Sequence, residues 1–333
     1  MLLNRKKFTF KKDLKFSGRK IYDCFMFFNE IELLNLRLEY LSPHVDFFVL
    51  VESRSSTQAK EKPLFFNENK SKFKKFLHKI KYIVINEFPV GAAPHTIETI
   101  QRNAMISCLS DCNDDDLVMI SDLDEIPILS NAPKKIYDGI VYHFLQDQYI
   151  YFANIYKEKH IIWEGGTKLV TYKTINKNLL DELFVKYGPT FLSQYNTGST
   201  LTKIRLYRNT RYIYNGGYHL TYQGGVDKIM QKLMSFSHPE LINSGKFNKK
   251  FITKNLENGI DIFDTNQKIF SLPESKSSKL LKKLLPEIYF NENCVVQNRF
   301  VYLYRRNFEL MKIFFRAKLR IMYLIIKNFI IKR

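Results

Sequence analysis

The chain has 333 residues, 45% of them apolar and 26% charged, with 28 Phe and 20 Tyr. That supplies a sizeable core and excludes a disordered protein. The formal charge of +19 would suit a nucleic-acid binder, but the excess sits on the two ends: residues 1–20 carry eight Lys/Arg against one Asp, residues 301–333 nine against one Glu, and the 280 between are nearly balanced. We therefore expect no nucleic-acid partner, and two basic tails able to meet an anionic surface.

In chain order, "KIYDCFMFF" (20–28) reads as a strand and "NEIELLNLRLEYL" (29–41) as a helix with Ile31, Leu34, Leu38 and Leu41 on one face. "VDFFVLVES" (45–53) is a near-continuous apolar run, the pattern of a strand buried on both sides. A basic helix over 67–80, a strand over 81–86, a helix over 95–112 and a strand over 116–122 follow. Strand alternating with helix four times predicts an α/β fold with parallel strands. Beyond Pro127 the pattern changes to strands without long helices between them (139–156, 167–173), so a mixed sheet is expected. Helices are expected over 224–238 and in the tail. The expected organisation is a basic segment over 1–19, one domain over 20–270 and a basic helical extension over 271–333.

Cys24, Cys108, Cys112 and Cys294 form no CxxC pair, which fits a reducing compartment and argues against zinc. No apolar run is long enough to span a bilayer, and "MLLNRKKFTFKKDLKF" lacks the features of a signal peptide. The expected location is the cytoplasm, peripheral on the inner face of a membrane.

The fourth strand ends in "ISDLDEIP" (120–127), three carboxylates within four residues. Ligands of open α/β sheets bind beyond the carboxyl ends of the strands. Asp122 and Asp124, two apart, project to one side of an extended turn. Two such oxygen donors suit Mg²⁺ or Mn²⁺ when phosphates complete the shell. The turn therefore reads as a nucleotide-diphosphate site, with a merely solvated acidic turn as the alternative. An aspartyl phosphatase fits less well, because Glu125-Ile126 follows the motif where a small hydroxyl residue is needed.

Six ordered segments, "YDCFMFFNEIELLNLRL" (22–38), "VDFFVLVES" (45–53), "KPLFF" (62–66), "QRNA" (101–104), "ISDLDEIP" (120–127) and "GGYHLTYQGGVDKIMQKLMSFSH" (216–238), resemble the family 17 glycosyltransferases. The resemblance implies a GT-A-type fold, a mixed and mostly parallel sheet flanked by helices. It also implies a nucleotide-sugar donor, UDP-GlcNAc, and transfer with inversion to a surface glycan or glycolipid. Tyr218 departs from it, since relatives tend to carry Trp there. A carbohydrate- or nucleotide-binding protein without catalysis is the alternative on the same fold.

By this resemblance Asp122 and Asp124 take the metal and the donor diphosphate, and Glu125 orients the turn or contacts the donor. Its alternative is a charge at the start of a helix. Asn29, Glu30, Glu52 and Ser53, at strand ends, line the nucleoside pocket, or Asn29 caps the following helix. Arg102 neutralises phosphate or pairs with a core carboxylate. His219 is a further metal or phosphate ligand, flanked by glycine pairs (Gly216-Gly217, Gly224-Gly225) that would let the backbone approach a ligand closely. Inverting transfer needs a carboxylate base. Glu164, beside the only tryptophan, Asp147 and Asp227 are the candidates, with Asp227 preferred. In the tail, "ELMKIFFRAKLRIMYLIIKNFIIKR" (309–333) mixes apolar and basic residues, as an interfacial helix does.

Overall fold

The computed structural model describes residues 16, 18–56, 60–175, 204, 210–235, 245–271, 276–291 and 299–331. The chain forms β1 (Ile21–Met26), α1 (Ile31–Leu41), β2 (Phe47–Ser53), α2 (Phe65–Glu68), β3 (Ile80–Ile85), α3 (Pro94–Ala104), β4 (Leu117–Asp122) and β5 (Glu125–Pro127). Then come β6 (Val141–Ile150), β7 (Ile155–Lys157), β8 (Ile162–Trp163), β9 (Lys168–Thr171) and β10 (Thr210–Thr221). The remainder is α4 (Gly225–Ser235), α5 (Lys249–Glu257), β11 (Ile269–Ser271), α6 (Lys276–Leu284) and α7 (Arg299–Ile331).

These elements fall into two units. The first is Met1–Leu145 with Gly165–Gly217 and Ser235–Pro239; the second is Gln146–Glu164 with Tyr218–Met234 and Glu240–Arg333. The single domain expected over 20–270 is thus divided, and the expected extension from 271 belongs to the second unit. Two of the five breaks between them cut through strands, β6 and β10, where an apolar run gives no local sign of a change. The basic segment expected at 1–19 lies almost wholly outside the described residues, as do Cys294 and the end of the helix expected to reach 238.

In the first unit the strand order is β3-β2-β1-β4-β9-β6-β10-β5. The joins β3–β2, β2–β1 and β1–β4 are parallel, and β4–β9 and β9–β6 are antiparallel. The sheet is mixed, as the change of pattern after Pro127 predicts. Period-2 alternation sorts its two faces. Tyr22 and Cys24 of β1, Val49 and Val51 of β2, and Val118 and Ile120 of β4 share one core with Met105 and Leu109. On the other face of β1, Asp23 and Phe25 meet Arg37 of α1.

Two expected helices are shorter and tighter than their pattern suggests. The segment 67–80 is α2 followed by 3-10 turns over Lys70–Lys79, broken at Phe73. A three-residue repeat aligns side chains at i and i+3, which here buries Phe73 and Phe76 and leaves the lysines between them in water. The segment 95–112 is α3 and then 3-10 turns over Met105–Leu109.

The Gly216-Gly217 pair serves packing within the protein. A Cβ on Gly216 would stand 2.7 Å from the backbone of Leu145, and one on Gly217 would stand 2.1 Å from the carbonyl of Ile126. The φ of Gly217 is +132°, in the region side chains avoid. The close approach expected toward a ligand is therefore made to the backbones of β5 and β6, and Ile128 N–H donates to Gly216 O at 2.8 Å. Gly217→Ala is expected to cost about 3 kcal/mol or more, combining backbone strain with a clash that no rotamer relieves. A denaturation midpoint shared with the wild type would contradict this.

In the second unit, β8 pairs with the continuation of β6 (Gln146 with Trp163, Asp147 with Ile162). β7 and β11 form a two-stranded antiparallel ribbon. The core gathers Ile150, Tyr151 and Ile155 with Ile229 and Leu233 of α4 and Ile252 and Leu256 of α5.

Candidate active site

The acidic turn is a corner between strands: β4 ends at Asp122 and β5 begins at Glu125. Glu125 itself opens a strand, so it is not a helix-start charge. It is fully buried, and its Oε2 accepts the Asp122 N–H at 3.1 Å. A carboxylate that closes the turn onto its own first residue shapes that turn.

The turn is fastened from below by Arg37, which the sequence reading did not single out. Its guanidinium is buried, and all three nitrogens are engaged. Nε and Nη2 donate to the two oxygens of Asp23 at 2.8 and 2.6 Å, and Nη2 also to Ser121 Oγ at 2.5 Å. Nη1 donates to the carbonyls of Asp122 (3.1 Å), Leu123 (3.1 Å) and Glu125 (2.8 Å). A rigid fork can serve a bidentate carboxylate and a cluster of carbonyls together, which a lysine cannot. Thr167 Oγ1 adds a bond to Glu125 O at 3.2 Å. The backbone of the turn is therefore fixed before any ligand arrives.

Above it, Arg102 of α3 is buried, and its Nη2 donates to Asp122 Oδ1 at 2.8 Å and Glu98 Oε1 at 2.9 Å. Burial works against the charge of Arg102, but Asp122 and Glu98 outweigh it and raise its pKa. Nη1 of Arg102 is buried without a hydrogen-bond partner among the described residues. A buried guanidinium N–H left in this way is costly unless an acceptor joins it. The Asp122 side chain is 36% exposed, whereas Asp124 is nearly closed off.

The remaining first-unit residues have structural partners. Glu52 is buried, accepts the Phe66 N–H (3.1 Å) and the Tyr82 hydroxyl (2.8 Å), and lies 3.6 Å from Lys62 Nζ. Burial pushes its pKa up, opposed by Tyr82 and Lys62. Ser53 Oγ donates to Ser55 O (2.5 Å) and accepts from Gln101 Nε2 (2.9 Å), the neighbour of Arg102. Both hold the end of β2 and the chain beyond it. Glu30 occupies the N-cap position of α1, and Asn29 donates its backbone N–H to Glu30 Oε2 at 3.2 Å. The cap expected from Asn29 is therefore not formed, because the helix starts one residue later.

Asp147, Glu164, His219 and Asp227 belong to the second unit. His219 is buried on β10 and stacks on Trp163 (4.6 Å between centroids, 25° between planes). Tyr218 stacks on Tyr149. Asp147 pairs with Arg306 at 2.6 Å, and burial pushes its pKa up against that attraction. Glu164, at the end of β8, pairs with Arg316 at 2.6 Å. Asp227 stands on the outside of α4, paired with the exposed Lys249 at 2.7 Å. An ion pair in water contributes little and leaves the carboxylate fully solvated, a poor setting for the base that sequence order favoured.

No three His, Cys, Asp or Glu side chains among the described residues converge as a metal cage. Mg²⁺ and Mn²⁺ bound with nucleotides need no such cage: one or two carboxylates suffice, and phosphates and waters fill the shell. The pair Asp122 and Asp124 fits that requirement in donor type and number.

A mixed α/β sheet flanked by helices, carrying a rigid acidic turn at the end of a central parallel strand, is the architecture expected from the resemblance. Residues 9–173 match the model of glycosyltransferase family 17. The rat and human β-1,4-mannosyl-glycoprotein 4-β-N-acetylglucosaminyltransferases are each 29% identical to it over 40% of this chain, and the match spans 27% and 28% of their lengths. Among solved structures, the galactosyltransferase LgtC, in complex with donor and acceptor sugar analogues, aligns with 57% of this chain and 72% of its own. The TM-score is 0.33 and the identity 12%.

Proposed function

We propose that this protein is an inverting glycosyltransferase that moves a sugar, GlcNAc in our reading, from a UDP-linked donor to a glycan or glycolipid acceptor. The observation that carries the proposal is the acidic turn itself, with its backbone pinned by buried Arg37 and Asp122 turned to solvent beside buried Arg102. Preorganised charge of this kind costs no rearrangement when the reaction proceeds.

Asp122 and Asp124 would hold Mn²⁺ or Mg²⁺, which supplies charge to the departing diphosphate. Arg102 offers Nη1 to a phosphate oxygen while Nη2 keeps Asp122 oriented. Glu125 and Arg37 hold the turn in place. Transfer also needs a carboxylate that takes the proton of the acceptor hydroxyl as that oxygen bonds to the anomeric carbon and the bond to the diphosphate breaks; Glu164, Asp147 and Asp227 are the candidates for that role.

The test is release of UDP from UDP-GlcNAc with Mn²⁺ and with a chelator, on wild type and on Asp122→Asn. We expect metal-dependent release that falls about a hundredfold in Asp122→Asn. Nucleotide binding without turnover of any sugar nucleotide would support the non-catalytic reading instead. Release from a different sugar nucleotide would keep the enzyme class and move the donor.

A further inference from the structure

Helix α7 docks on the second unit largely by its charges. Arg305 pairs with Glu158 (2.9 Å), Arg306 with Asp147 (2.6 Å) and Arg316 with Glu164 (2.6 Å). Glu309, the sole acidic residue of the helix, accepts the backbone N–H groups of His160 (2.6 Å) and Ile162 (3.0 Å). Tyr302, Arg306, Glu309 and Ile313 follow one stripe at i, i+4, i+7 and i+11, and Tyr302 and Ile313 are its buried apolar members.

The opposite side carries Phe300, Tyr304, Phe308, Met311, Phe315, Leu319 and Met322, each between 45% and 81% exposed. Steps of four, four, three, four, four and three residues keep them on one line of a 3.6-residue helix. This inverts the usual surface helix, which packs its apolar face and shows water its charges. A continuous apolar strip of this kind marks an interaction surface.

The charge around the strip selects the partner. Lys312 and Lys318 are exposed beside it, with their ammonium groups 4.4 Å from the ring centroid of Phe308 and 4.6 Å from that of Phe314. No acidic residue lies on this side, since Glu309 faces inward. A second copy packed through the same strip would bring lysines together with no carboxylate to pair them. No described helix is long and apolar enough to cross a membrane. We propose that the outer face of α7 lies in the surface of an anionic bilayer, with aromatic and Met side chains at headgroup depth and the lysines reaching to lipid phosphates.

The test is co-sedimentation of the full chain with mixed phosphatidylglycerol–phosphatidylcholine vesicles and with phosphatidylcholine alone. The wild type is expected to pellet with the mixed vesicles and much less with the neutral ones. Phe308→Ser/Phe315→Ser replaces exposed side chains and should keep the wild-type melting curve while lowering vesicle partition about tenfold or more. Lys312→Gln/Lys318→Gln should lower partition on the anionic vesicles only. Wild type left in the supernatant, or the serine variant pelleting like wild type, would overturn the proposal. So would a wild-type dimer, seen by light scattering, that the serine variant converts to monomer. The readout uses no sugar donor, so it stands apart from the transfer reaction.

Discussion

Arg37→Ala is expected to lower stability by about 3–5 kcal/mol, the usual result of removing one partner of a buried ion pair. The loss has two sources. Asp23, buried and bound bidentately to Arg37, is left as an uncompensated charge in the core. The carbonyls of Asp122, Leu123 and Glu125 lose their shared donor. A Arg37→Ala/Asp23→Leu double variant should recover much of the stability, because replacing both partners by apolar groups removes the stranded charge. It should not recover donor turnover, because the turn would still lack its clamp. Denaturant midpoints and UDP release, measured on the same preparations, separate the two effects. Equal recovery of both would mean that Arg37 serves folding alone.

Asp122→Asn and Asp124→Asn are expected to leave the fold close to wild type and to reduce metal-dependent turnover by a hundredfold or more, the scale on which electrostatic groups at a reacting diphosphate act. The amide keeps the shape of the carboxylate but gives up its charge. Asp122→Asn leaves Arg102 with Glu98 as partner, so a modest stability loss of about 1 kcal/mol accompanies it. Turnover retained in both would place the metal, or the chemistry, elsewhere.

The sheet was legible because the strands buried on both faces, such as Phe47–Ser53 and Leu117–Asp122, are near-continuous apolar runs that end abruptly in polar residues. The acidic turn was legible for the same reason. Its fastening was readable in part: Arg37 falls in the inward stripe of α1 with Leu34, Leu38 and Leu41, and an arginine at such a position signals a buried partner. Asp23, within an apolar strand, is that partner. The three carbonyls that Nη1 serves left no trace in side-chain pattern. The glycine pair at 216–217 shows why motif context is not enough. Both glycines are required by close backbone packing, and only the position of β5 reveals against what. The preference for Asp227 came from order along the chain, and order does not report exposure. The heptad-like apolar line of α7 was hidden because basic and apolar residues alternate too closely to assign an inner face until Glu309 and Arg306 are seen to point inward.

Titration of UDP into the protein with and without Mn²⁺, on wild type and on Asp122→Ala/Asp124→Ala, tests the central claim that the turn holds a metal-bridged nucleotide diphosphate. The account predicts binding to the wild type that depends on Mn²⁺ and is lost in the double variant while its melting curve persists. Binding that survives the double substitution, or a wild type that binds no nucleotide with any divalent metal, would contradict it.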